Sequence, residues 1–138
     1  MPVNFDIVKR SYGRCVITRQ SKEKFFQHFY THFLNSDPTI RKMFERTVFE
    51  KQITMLKNAI SMSILFAEKQ DELAKDVLTG IRNSHSRRKL NVKPEYYSLW
   101  LNSLIDTLKN CDPQFNQQLE AEWRAMMQVS IDYIVAGY

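Results

Sequence analysis

Apolar residues recur along this chain at three- and four-residue intervals, the period of one helix face. A first helix is expected from about Asn4 to Thr18, with Ile7, Val8, Tyr12, Cys15 and Val16 along one side. Ser21 reads as the N-cap of a second helix, whose stripe is Phe25, Phe26, Phe29, Tyr30, Phe33 and Leu34. Asn35-Ser36-Asp37-Pro38 ends that helix, because proline cannot continue it and is pre-set for the first turn of the next. A short helix from Pro38 to Phe44 follows, then a long one from about Phe49 to Glu68 with Gln52, Ile53, Leu56, Ala59, Ile60 and Ile64 inward. A further helix spans about Asp71 to His85, and Ser86 to Lys93 reads as irregular. Pro94 opens a helix carrying Tyr97, Trp100, Leu101, Leu104, Ile105 and Leu108, and Asp112-Pro113 opens the last, with Trp123, Met127, Ser130, Ile131 and Ile134 on its stripe.

Composition agrees with an all-α fold of six to seven helices. Glycine and proline together supply only seven of 138 residues, too few for a turn-rich β architecture. The length fits one domain, residues 1–138, able to bury a sizeable core. Two cysteines, Cys15 and Cys111, make no disulfide framework or CxxC pair. No apolar run suits a signal peptide or a membrane span, so a cytoplasmic protein with no membrane association is expected. The net charge of +5 is mostly spread among alternating acids and bases, which gives no nucleic-acid stripe. One basic cluster stands apart, with Arg82, Arg87, Arg88, Lys89 and Lys93 gathered around His85.

Hydrolase and nucleotide-enzyme chemistry finds no HExxH, P-loop or GxSxG pattern. Of the three histidines, His28 and His32 lie one helical turn apart. Their sequence neighbourhood holds no carboxylate or cysteine to complete a metal site, and they are expected to face outward. His85 closes a helix before an irregular basic segment. Haem is the cofactor that needs only one protein ligand, because the porphyrin supplies the other nitrogens.

Three runs carry a resemblance. FFQHFYTHFLNSDPTIRKMF, residues 25–44, resembles the second and third helices of a bacterial globin. QITMLKNAI, residues 52–60, is similar to the distal helix of flavohaemoglobin globin domains, and HSRRKLNVKPEYY, residues 85–97, resembles their proximal histidine, corner and following helix start. The resemblance covers about residues 5–135. It implies a globin fold around b-type haem, with His85 the proximal iron ligand, its second ring nitrogen donating to a carbonyl near Ile81, and Tyr30, Gln52 and Leu56 lining the distal side. Phe44, Ile53, Ile81, Leu90, Val92, Tyr97 and Trp100 would contact haem, and Arg87, Arg88 or Lys89 would meet its propionates. A one-residue slip would place Lys51 or Ile53 where Gln52 is expected.

The implied function is reversible binding of dioxygen, with nitric oxide and carbon monoxide as further ligands. A nitric oxide dioxygenase or peroxidase-like enzyme using an external reductase is the alternative. The final-helix glutamate of flavohaemoglobins falls near Tyr138, although Tyr97 matches their proximal tyrosine. A haem-free sensor or docking module is a third reading, and either a monomer or a homodimer is compatible with the pattern.

Overall fold

The computed structural model describes residues 3–138. Among them the chain forms seven helices and no strand: α1 (Phe5–Cys15), α2 (Arg19–Asn35), α3 (Pro38–Met43), α4 (Phe49–Lys69), α5 (Glu72–Ser84), α6 (Tyr96–Cys111) and α7 (Gln117–Val135). No helix among the described residues is long and apolar enough to cross a membrane.

Helix starts follow local hydrogen-bond chemistry more closely than apolar period. Helix α2 begins one turn before Ser21, because Thr18 is the cap: its Oγ1 accepts from the Ser21 N–H at 3.0 Å while Ser21 Oγ accepts from the Thr18 N–H at 2.9 Å. Helix α7 likewise starts beyond Asp112-Pro113, with Asn116 as its cap, accepting from the Leu119 N–H at 2.8 Å. Between α4 and α5 the chain turns within two residues: Gln70 adopts a left-handed conformation (φ 53°) and Asp71 caps α5 through the Ala74 N–H.

Helix α2 packs most extensively on α6, while α4 lies against α5 and α7. The predicted stripe of α2 is fully used, with Phe25, Phe26, Phe29, Tyr30 and Phe33 all buried. Their rings meet edge-on, Phe25 to Phe26 at 5.1 Å and Phe29 to Tyr30 at 5.1 Å, and Phe29 reaches Trp100 of α6 at 5.8 Å. A smaller apolar cluster of Phe66, Ala74, Leu78 and Ile134 ties α4, α5 and α7 together.

Asp112 is freed from capping because it does something else. Its buried carboxylate takes a two-pronged ion pair from Arg14 (2.7 and 2.9 Å), the Ser11 hydroxyl at 2.6 Å and the Gln114 N–H at 2.9 Å. This clamps α1 to the α6–α7 junction. Burial alone would push the carboxyl up, but these donors together hold it below the ordinary carboxylate range. Its contribution to stability is therefore present above about pH 4 and lost as pH falls through the depressed folded value. Asp112→Ala is expected to cost about 3 kcal/mol in urea unfolding at pH 7, since it strands Arg14 and Ser11. In Asp112→Asn the acid limb of the stability profile should flatten; an unchanged limb would show that other carboxylates set it.

Candidate functional site

A cavity of about 370 Å³ opens between α2, α4, α5, α6 and α7, closed at its edges by α3 and by the corner after α5. Its walls are largely apolar. Tyr30 of α2, Phe44 after α3, and Gln52 and Leu56 of α4 form one side; Ile81 and His85 at the end of α5, Leu90 and Val92 of the corner, and Tyr97 and Trp100 of α6 form the rest. Of the residues expected to face a ligand, these ten share the cavity.

Three do not. Ile53 packs into the main core, because one residue past Gln52 turns the side chain about 100° around the helix. Lys51 is exposed, so of this segment Gln52 is the residue on the cavity. Arg87 lies outside the lining, its guanidinium 4.8 Å above the Tyr138 ring and its N–H donating to the Tyr138 carbonyl at 3.2 Å. Arg88 is exposed and off the cavity wall. The corner's backbone explains both: Leu90 N–H returns to the Ser84 carbonyl, Val92 N–H to the His85 carbonyl, and Asn91 takes φ 51°. This tight fold aims Leu90 and Val92 at the cavity and leaves the basic side chains outside.

His85 follows the last helical residue of α5, at the C-cap. Its Nδ1 lies 2.9 Å from Ser84 Oγ, which itself donates to the Ile81 carbonyl at 3.1 Å. With the Ser84 hydroxyl and the Ile81 carbonyl both at this side of the ring, Nδ1 is the nitrogen suited to carry the proton, and no hydrogen-bond partner meets Nε2 among the described residues. The expected link to Ile81 is present, its carbonyl lying against the ring as a hydrogen-bond acceptor. Burial holds the ring below the ordinary histidine range, while the Ile81 carbonyl works in the opposite direction. The imidazole is neutral at physiological pH, the form that ligates metal.

Tyr30 is 6% exposed, and burial pushes its phenol up to about 12, with the Gln52 side-chain amide, which can donate to the phenolate, opposing that rise. It keeps its proton. The hydroxyl donates to the Gln52 carbonyl at 3.4 Å, a long and weak bond that competes little with a better acceptor in the cavity. Phe44 flanks it at 6.1 Å and Phe49 at 5.4 Å.

Further lining residues carry no signal in the sequence beyond helical spacing. Met127, Ser130, Ile131 and Ile134 form one stripe of α7, and Met55, Ala59 and Ser63 continue the face of α4 that carries Gln52 and Leu56. Periodicity marks such positions as inward but does not separate packing from cavity wall. Met43, Met55 and Leu90 are exposed large hydrophobes that also line the cavity, so its mouth is apolar, as expected of a site that a flat apolar group would cover. The donor set fits haem: one neutral imidazole with a free lone pair, apolar walls, and a protonated phenol beside an amide.

The second histidine pair is not isolated, as its sequence neighbourhood suggested. Asp106 of α6 supplies a carboxylate 2.8 Å from His28 Nε2.

Comparison with known proteins agrees with this geometry. The Globin family model matches residues 27–134. A flavohemoprotein of Vibrio cholerae serotype O1 is 30% identical over 113 residues, covering 77% of this chain and 28% of the relative, so the chain spans little more than a quarter of that protein. A crystal structure from Pseudomonas aeruginosa PAO1, described as structurally highly homologous to a human haemoglobin, superposes with a TM-score of 0.88 at 33% identity and covers 97% of each chain.

Because burial lowers the proton affinity of the His85 ring in the folded, haem-free chain, the unfolded chain takes up the proton first as pH falls. Stability from this group is complete above about pH 6.5 and declines as pH falls from there to the depressed folded value. His85→Gln should remove this component from the pH dependence of urea unfolding; an identical profile would place the titration elsewhere.

Proposed function

Since the chain belongs to the globin family, we propose that it holds b-type haem in this cavity through His85 and reversibly binds dioxygen. The observation that carries the reading is the free Nε2 lone pair of a neutral imidazole on an apolar cavity that also presents Tyr30 and Gln52. When bound, haem would supply an iron with four porphyrin nitrogens and room for a diatomic gas beside the protein ligand.

The protein's part is orientation and selective donation. Ser84 fixes the His85 tautomer and ring direction, as supporting partners of metal ligands do. Leu56, Phe44, Ile81, Val92, Tyr97 and Trp100 keep the cavity dry, which strengthens any hydrogen bond made inside it. Tyr30 and Gln52 offer protons to a ligand that gathers negative charge, as dioxygen does; neutral carbon monoxide gains less. Of the corner's cations, Arg88 and Lys89 make no ion pair among the described residues and are the candidates for a propionate, each worth up to about 1 kcal/mol at an exposed rim.

The flavohemoprotein relative supports a second reading, nitric oxide dioxygenation with electrons from a separate reductase. Rapid nitrate formation when nitric oxide meets the reduced, oxygen-equilibrated protein favours it; slow formation favours dioxygen binding alone.

His85→Ala should abolish or greatly weaken hemin uptake, read as loss of the Soret band; an unchanged spectrum would remove His85 as the ligand. Tyr30→Phe should speed dioxygen release about 2- to 13-fold in stopped-flow measurements, the range for one lost hydrogen bond of 0.5–1.5 kcal/mol. An unaltered off-rate would mean that Tyr30 does not touch the ligand.

A further inference from the structure

The two stretches of chain that border the cavity mouth, Ile40 to Leu56 and Ile81 to Tyr97, are charged unlike the rest of the molecule. They hold nine of the twenty cations but only three of the fifteen acids, a net +6, against −1 for all other residues together. None of the nine makes an ion pair among the described residues. Arg41 is tied to the Asn35 side chain and the Leu34 carbonyl, and Arg82 and Arg87 lie over the Tyr133 and Tyr138 rings. The other six, Lys42, Arg46, Lys51, Arg88, Lys89 and Lys93, are exposed.

Position adds to charge. Lys42 adjoins Met43 and Lys89 adjoins Leu90, apolar residues 42% and 61% exposed that line the cavity, while Arg46 and Lys51 adjoin Thr47 and Gln52 of the same wall. Met43, Met55 and Leu90 therefore make an apolar centre bordered by cations, the layout of interfaces that charge steers into encounter. The two propionates of a haem engage only part of this set. No aromatic residue is among the exposed large hydrophobes of the described residues, so the mouth offers no stacking platform for nucleic-acid bases and no aromatic anchor for a lipid surface. An acidic protein surface is the partner that needs neither.

We propose that this face docks a small acidic one-electron carrier protein, whose carboxylates meet Lys42, Arg46, Lys51 and Lys93 around Met43, Met55 and Leu90. The inference rests on the reading that the cavity holds haem, because the mouth is then where an electron reaches a site that must be ferrous to bind dioxygen. The donor's reduced centre gives up one electron and returns to its oxidised form, and ferric iron becomes ferrous; no bond is made or broken and no proton moves. Exposed cations suit this task. They raise the rate of encounter more than its lifetime, and a small interface lets the oxidised donor leave after transfer.

A reduced plant-type [2Fe–2S] ferredoxin serves as the acidic probe, mixed in stopped flow with the hemin-loaded full chain while the ferrous Soret band forms. Binding is read separately, from amide shifts of the carbon monoxide-bound protein titrated with oxidised ferredoxin. Shifts should centre on Lys42, Arg46, Leu90 and Lys93, and reduction should slow at least about tenfold between roughly 20 and 200 mM salt. Lys42→Glu, Arg46→Glu and Lys93→Glu combined should slow it at least about tenfold at low salt and erase the shifts. Arg10→Glu, Lys24→Glu and Lys75→Glu combined make the same charge change at exposed residues off the cavity wall, and should stay within about twofold of wild type. Lys42→Glu with Arg46→Glu carries the test if the first triple variant fails to load hemin. A wild type without a Soret band overturns the haem reading and this proposal with it. With a normal Soret band, salt-independent reduction, equal rates in the two triple variants, or tighter binding to phosphatidylserine vesicles or a single-stranded oligonucleotide than to ferredoxin overturns the docking face alone.

Discussion

Six of the seven helices among the described residues stand around an apolar cavity instead of closing on one another, and much of the molecule serves that separation. Left unfilled, an apolar cavity with an open mouth leaves its walls without packing partners and exposes apolar surface to water, both of which cost stability. A group that fills the cavity contributes stability as well as chemistry, and the haem-loaded protein should therefore outlast the haem-free one. The exposed side chains of Met43, Met55 and Leu90 at the mouth belong to the same logic.

Rigidity around the cavity comes from elsewhere. The edge-on aromatic chain along α2 and into α6 resists collapse because its rings are already close-packed with one another. The Asp112 clamp holds α1 against the α6–α7 junction, and the short Gln70–Asp71 turn fixes α5 beneath α4. His85 is thereby delivered at the end of a helix whose direction is set by its packing. Serine hydroxyls then meet a histidine ring twice, Ser84 at His85 and Ser103 at His32, and each also donates to a backbone carbonyl of its own helix.

Much of the cavity wall was legible beforehand because it obeys helical spacing and family motifs. Tyr30, Gln52, Leu56 and His85, drawn from three separate runs, all border the cavity, while Lys51 and Ile53 lie off it. Helix starts were less legible, since Thr18 with Ser21, and Asn116 rather than Asp112, cap through bonds that apolar period does not record. The α7 face was visible only as a stripe, because a cavity wall and a packed core use the same residues. Arg87 was misleading for another reason: a basic residue near His85 in sequence says nothing of which way the corner turns it.

The amino-acid sequence by itself determined the helices, the absence of a β architecture, and the one histidine that ends a helix beside a basic corner, because these depend on interactions within a few residues. Tertiary structure decided which polar groups meet. Asp106 joins His28 and His32, Asp112 turns to Arg14, and the Tyr30 hydroxyl finds the Gln52 carbonyl only when separate helices pack. Each of these contacts spans more than twenty residues, and its geometry is set by the angle and register of two helix faces, which periodicity along either helix leaves open.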